Sequence, residues 1–144
     1  MDETEVWKPV KIPYRGVLYW NYPYEISNFG NVRNNKKKLL KPFLRGKRKG
    51  TYLCIDLYTD GKRKRIDVHR LVAFHFVDNP DNKSEVNHLD LNPFNNRADN
   101  LEWCTRSENE QHKHFMESCK QFEKEYRETQ VQDTVIEENK SVYY

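Results

Sequence analysis

Residues 87–112, NHLDLNPFNNRADNLEWCTRSENEQH, constrain the fold more than any other stretch of the chain. Just before and into it, Glu85-Val86-Asn87-His88 reads as a short strand. LDLNPFNNRADN is a run of turn formers, and Leu101-Glu102-Trp103-Cys104 reads as a second strand. Thr105-Arg106-Ser107-Glu108 has the pattern of a capping box, so a helix opens there. A strand, a loop, a strand and a helix in so few residues can bring the end of the first strand beside the first helical turn. His88 sits at that strand end, and Asn109 lies 21 residues later, near the helix start.

The remaining segments fit around this unit. Residues 1–32 are rich in aromatics punctuated by Pro and Gly, which predicts short strands and turns. Tyr24-Glu25-Ile26 reads as a strand, Asn28-Phe29-Gly30-Asn31 as a turn and Asn31-Val32-Arg33 as a returning strand. Residues 51–68 predict a hairpin. Leu53, Ile55 and Leu57 alternate onto one face, and Asp60-Gly61 supplies a turn that accepts positive φ. The second strand of that hairpin carries Lys62, Arg63, Lys64 and Arg65, so one sheet face is expected to be apolar and the other basic. VHRLVAFHFV, residues 68–77, predicts a short helix with Val68, Leu71, Val72 and His75 on one side; His69 and His75 read as packing or capping residues.

Past residue 105 the helix is expected to reach about Arg127. Phe115, Cys119, Phe122 and Tyr126 recur on it at helical spacing, as a core or partner-contact stripe. Residues 128–144 lack periodicity and read as a mobile tail. The expected architecture is α+β: an N-terminal antiparallel sheet, a ββα core and a C-terminal helix. It divides into a basic β-rich segment over 5–67, the core over 68–114, a helix extension over 115–127 and the tail over 128–144.

Charge is distributed unevenly. The overall charge is only +3, yet residues 1–70 sum to +10, residues 71–112 to −5 and residues 113–144 to −2. Residues 33–50 hold nine basic side chains and no acid. Arg33, Lys36, Lys37, Lys38, Lys41, Arg45, Lys47, Arg48 and Lys49, with Lys62, Arg63, Lys64 and Arg65 of the hairpin, form a surface suited to phosphates. No run of about 18 apolar residues exists, so a transmembrane helix is excluded. The acidic N-terminus lacks the apolar region of a secretory signal. Cys54, Cys104 and Cys119 form no CxxC pair, which argues against a four-cysteine zinc site or a disulfide scaffold and fits a reducing cytoplasm.

A histidine among neutral oxygen donors beside a basic sheet suits phosphodiester hydrolysis, which needs a base to activate water and a hard cation to neutralise charge. Amide oxygens from Asn87 and Asn109 suit Mg²⁺, which keeps several waters and takes few protein ligands. The same residues also suit a long Asn- and Asp-rich turn with no chemistry, and composition alone balances the two.

Several motifs in sequence order break that balance. VHRLVAFHFVDNP at 68–80, VNHLDLNPFNNRADNLEW at 86–103 and TRSENEQH at 105–112 resemble the HNH endonucleases of the phage and intron-encoded homing branch, whose fold is the ββα-metal finger. Upstream, WKPV at 7–10 and YEISNFGNVRN at 24–34 resemble the nuclease-associated modular segment that precedes such domains. The resemblance covers about residues 5–112. It implies His88 as the general base and Asn100 as the residue that ties the loop and holds the base. It also implies Asn87 and Asn109 as ligands of one Mg²⁺ or Mn²⁺ ion that bridges the scissile phosphate and the 3′ leaving oxygen. The products would be a 5′-phosphate and a 3′-hydroxyl. No structural zinc is expected.

Asp90 reads as a loop cap more than as a group supporting the metal ligands, and His112, on the same helical face as Asn109, reads either as a group that approaches the metal or a phosphate or as an exposed helical histidine. The sequence departs from the family pattern twice. Asn87 stands where many relatives carry Asp, and Leu91 follows Asp90 where Gly is common and φ > 0 is tolerated.

The expected partner is double-stranded DNA, met by a monomer or weak dimer in a bacterial or phage-infected cytoplasm, with no membrane. One active site predicts nicking. The alternatives are a non-catalytic DNA-binding protein that keeps the HNH scaffold, and an RNA-binding module, since basic sheets with aromatics also bind single strands.

Overall fold

The computed structural model describes residues 4–14, 17–46, 52–59 and 61–142, and the side chains of these except 13, 14, 17–22 and 130–142. Lys47, Arg48, Lys49 and Asp60 of the sequence reading lie outside the described residues. The chain forms two compact units, residues 1–106 and 107–144.

Among the described residues, the first unit holds three antiparallel sheets, an α-helix and a 3-10 turn at Ala98–Asn100. β1 (Trp7–Tyr14), β2 (Val17–Ser27) and β3 (Val32–Asn34) form the first sheet in that order. Gly30 turns the chain between β2 and β3 at φ +90°, a conformation that disfavours side chains. β4 (Phe43–Leu44), β5 (Leu53–Thr59) and β6 (Lys62–Asp67) form the second sheet. α1 (Val68–Phe76) follows β6 directly, and β7 (Glu85–His88) and β8 (Leu101–Cys104) form the third sheet. The ββα arrangement and the α+β class expected from the sequence are both present.

Apolar periodicity explains how these pieces pack. Val10 and Ile12 of β1, Ile26 of β2, Val32 of β3, and Ile55 and Leu57 of β5 are buried in one cluster. Val68, Leu71, Val72 and Ala73 of α1, Val86 of β7 and Leu101 of β8 complete it. Residues on both sides of position 67 therefore share a single core. At roughly 1.5–3 kcal/mol for each buried Val, Leu or Ile, this cluster is the main force joining the N-terminal sheets to the ββα elements. The Trp103 indole Nε1 donates to the Val77 carbonyl at 3.0 Å, pinning β8 to the chain leaving α1. His75 also acts structurally. Its Nδ1 bonds the Leu71 carbonyl at 2.8 Å, and its Nε2 accepts from the Lys11 N–H at 3.0 Å.

β6 differs from the expected one-sided pattern. Leu57 pairs with Lys64 and Tyr58 with Arg63, and all four residues Lys62–Arg65 are exposed. Four consecutive residues of a strand must alternate between faces, so the charge emerges on both.

The second unit is the remainder of α2 (Arg106–Val142). The helix continues past the Arg127 end read from the sequence. Residues 128–142 include three Glu, two Gln and one Lys and neither Gly nor Pro, a composition that permits helix without any apolar period. Phe115, Phe122 and Tyr126 are exposed, so the stripe on this helix is not a core stripe.

Candidate active site

The site is built on the β7–β8 hairpin. His88 pairs with Leu101 and Asn87 with Glu102 across antiparallel strands. This register sets the start of the connecting loop at Leu89 and its end at Asn100, and the Leu89 N–H donates to the Asn100 carbonyl at 2.8 Å.

The loop is closed by its own short polar side chains. Asp90 Oδ1 accepts from the Asn92 N–H at 2.8 Å and from Asn100 Nδ2 at 2.9 Å. Its Oδ2 accepts from Asn95 Nδ2 at 2.9 Å. Asn100 completes the ring, taking the Asp90 N–H on Oδ1 at 3.2 Å and giving Nδ2 to the Asn95 carbonyl at 2.9 Å. Burial opposes ionisation of Asp90, but the bonds from Asn95, Asn92 and Asn100, with the charge of His88, outweigh it and hold the carboxyl below its ordinary range. Leu91 sits in this turn at φ +62°, where L side chains are strained, and its N–H bonds the His88 carbonyl at 3.0 Å. The departure noted at Leu91 is thus absorbed by a strained residue in a loop that still closes.

His88 is 5% exposed. Its Nε2 meets Asn96 Oδ1 at 2.7 Å. A carbonyl oxygen can only accept, so Nε2 carries the proton and Nδ1 keeps the lone pair. Burial lowers the His88 pKa; the Asn96 bond and the Asp90 charge offset this only in part. The ring is therefore neutral at pH 7 and able to take a proton at Nδ1.

Asn96 was missed by the sequence reading, which assigned the holding of the base to Asn100. Asn100 ties the loop and touches Asp90 and Asn95; Asn96 touches the histidine. Asn96 is itself seated against the β2–β3 turn. A Cβ on Gly30 would lie 2.9 Å from the Asn96 carbonyl oxygen, so only glycine allows this approach. Beside it the Ala98 N–H donates to the Asn28 carbonyl at 2.8 Å, and the Arg97 guanidinium lies 4.1 Å over the Phe29 ring. The Asn28-Phe29-Gly30 turn thus braces the loop whose Asn96 holds the histidine.

Asn87 is buried, and its Nδ2 donates to Glu102 Oε1 at 3.0 Å. This bond engages the amide nitrogen, so the Asn87 oxygen is the atom of that amide that can serve a cation. Among the described residues no group of three or more His, Cys, Asp or Glu gathers as a metal site. The donors on offer are amide oxygens, which fit a hard cation that keeps most of its water. Asn109 and His112 lie on α2 in the second unit.

His69, at the second position of α1, is buried with its ring 5.0 Å from that of His88. Burial first, then the charges of His88, Arg70 and Arg45, push its pKa down to about 3. Its Nδ1 has no hydrogen-bond partner among the described residues.

The basic residues divide into two groups. Arg33 and Lys37 both pair with Glu25, and Arg33 also lies 3.8 Å over the Trp7 ring. Arg65 grips Asp56 through two bonds of 2.8 and 3.1 Å. Arg45 lies 3.1 Å from Asp67 without hydrogen-bond alignment. Lys36, Lys38, Lys41, Lys62, Arg63 and Lys64 are exposed and form no ion pair among the described residues.

Comparison with known proteins adds a second line of observation. Residues 67–111 match the family model described as HNH endonuclease, and residues 5–58 match the NUMOD4 motif. Two uncharacterized HNH endonucleases of Acanthamoeba polyphaga mimivirus are similar, at 45% identity over 76% of this chain and 47% over 62%. The DNA endonuclease I-HmuI of Bacillus phage SP01 is 38% identical over 72% of the chain. A solved structure titled as DNA binding and cleavage by the HNH homing endonuclease I-HmuI aligns with a TM-score of 0.63 and 31% identity, covering 83% of this chain and 66% of that one. The chain spans 26% of the length of each mimivirus relative and 54% of the phage enzyme. No helix among the described residues is long and apolar enough to cross a membrane.

Proposed function

The chain belongs to the HNH endonuclease family, with a NUMOD4 motif ahead of the HNH segment, and from that premise we propose that it is a metal-dependent, strand-nicking DNA endonuclease of the homing type. The observation that carries this reading is the state of His88: buried, neutral, held through Nε2 by Asn96, with Nδ1 left basic. In this reading Nδ1 takes a proton from a water that attacks the phosphorus. The P–O3′ bond breaks and solvent water protonates the departing O3′, leaving a 5′-phosphate and a 3′-hydroxyl. Asn100 and Asp90 keep the loop closed so that Asn96 holds the ring.

The residues assigned to hold a divalent cation, Mg²⁺ or Mn²⁺, are Asn87 and, by the family motif, Asn109, with His112 nearby in sequence. Such a cation supplies positive charge against the phosphate and the departing oxygen. A neutral amide in place of a carboxylate lowers the charge of the site and with it the affinity for the ion.

DNA is held by the exposed lysines and arginines of residues 33–65, foremost Lys36, Lys38, Lys41, Lys62, Arg63 and Lys64, which are available for phosphates. The functional division is a binding segment over 5–67, a nuclease core over 68–114 and a helical extension beyond. The acting species is a monomer or weak dimer, and the setting is a phage-infected or bacterial cytoplasm.

A supercoiled-plasmid assay with Mg²⁺, Mn²⁺ or EDTA tests the reading, using plasmid that carries phage genomic inserts to supply long sites. Open circles that require the ion are the expected result. Linear product at the first cut would replace nicking with paired action. Retardation of the DNA on a gel without cleavage under any ion would favour a non-catalytic DNA-binding protein.

A further inference from the structure

One cluster beside the histidine is left unused by this reading. The Tyr52 ring lies almost parallel to the His88 ring, at 12° and 5.8 Å between centroids. His69 meets both, at 4.5 Å from Tyr52 and 5.0 Å from His88. These separations are those of packed aromatic pairs.

Geometry gives the cluster a task. Asn96 holds His88 at one atom, Nε2. A single hydrogen bond leaves the imidazole free to tip about that contact, because the second side-chain torsion of histidine is broad. A functional group has to stay within about 0.5 Å and 10–20° of its working geometry. The missing restraint must act on the face of the ring, and flat neighbours supply it. His69 has no bonded partner at Nδ1, so hydrogen bonding at that atom does not account for its place. Tyr52 lies just before β5, outside the residues that match the HNH model, and is 40% exposed despite being held against two buried rings.

We propose that Tyr52 and His69 are positioning residues that fix the plane of the His88 ring, Tyr52 reaching it from the N-terminal sheet region and His69 from α1. The proposal deepens the reading of His88 as the base and rests on it.

Two measurements on the full chain test it together. One is the single-turnover nicking rate at saturating DNA, with the DNA affinity measured separately. The other is the position of the His88 ring-proton resonances in the metal-free protein, which report the ring currents of flat neighbours. Tyr52→Ala is expected to slow nicking about tenfold or more with little change in affinity, and to shift the His88 resonances. Tyr52→Phe restores both. His69→Leu, which keeps apolar bulk without a planar face, slows nicking, and His69→Phe recovers the rate. If Tyr52→Ala nicks at the wild-type rate, loses only affinity, or leaves the His88 resonances in place, the proposal is wrong. Tyr52→Leu stands in for Tyr52→Ala if thermal melts show the alanine protein to be unfolded. Should His88→Ala itself nick, the reading of the base fails instead, and the ring-proton shifts still decide whether Tyr52 and His69 fix the plane of the His88 ring.

Discussion

The loop between β7 and β8 and the β6 strand are both dense in polar residues, yet they use them in opposite ways. In the loop, Asp90, Asn95, Asn96 and Asn100 bond to one another, to backbone and to His88, and the result is a fixed shape around a neutral ring. Along β6, Lys62, Arg63 and Lys64 face water unpaired among the described residues, and the result is available charge. Polar groups that satisfy each other build geometry, and polar groups left in water meet a partner. The account assigns chemistry to the first region and DNA affinity to the second, so substitutions in each should separate rate from binding.

Breaking the loop has the larger effect. Asn96→Ala removes the acceptor at Nε2 and leaves a buried N–H without a partner. The single-turnover rate is expected to fall about 10²-fold while DNA affinity holds, as measured by quench-flow and by gel retardation in EDTA. Equal losses in rate and affinity would show that the two regions are not separable.

Next comes the ribbon. Replacing Lys62, Arg63 and Lys64 with Ala should weaken DNA binding and reduce the slope of log K against log salt by about 2–3, because each phosphate contact contributes about 0.9. The rate at saturating DNA should stay near wild type. An unchanged slope would remove β6 from the binding surface.

A pH series sharpens the contrast from the buried side. His69 titrates near 3 in the folded protein and near its ordinary 6.5 when unfolded. Between these values the unfolded chain binds more protons, so stability is fully present above about pH 6.5 and is lost as pH falls. The slope approaches about 1.4 kcal/mol per pH unit. Denaturant melts of the wild type and His69→Phe should diverge in this window, the variant losing less. Parallel curves would show that His69 is solvated.

The smallest effect concerns the strain in the loop. Leu91→Gly relieves a left-handed leucine at the cost of a more flexible unfolded chain. A net gain of about 1 kcal/mol or less in denaturant melts is expected, with little change in nicking.

Much of this was legible in the sequence. The β7–β8 hairpin, the start of α2 near Thr105 and the α1 helix follow from turn formers, capping residues and apolar period. Those signals are local, and so they carried. His88 and Asn87 stood out because they end a strand facing a polar loop. Asn96 did not, although NN at 95–96 was in view. Which of several asparagines reaches the ring depends on how the loop closes, and the Gly30 contact that seats Asn96 spans 66 positions. Tyr52 was invisible for the same reason, since its place beside His88 is a product of packing. The even basic run of residues 33–65 hid a second distinction. Glu25, Asp56 and Asp67 already occupy Arg33, Lys37, Arg65 and Arg45, and only pairing in three dimensions separates these from the exposed cations.

The most direct test of the division between the two regions is the cleavage rate of His88→Ala at saturating DNA, beside its affinity for the same DNA. The account predicts a loss of roughly 10²–10⁴-fold in rate with affinity intact. Metal-dependent cleavage by that variant at the wild-type rate would contradict it.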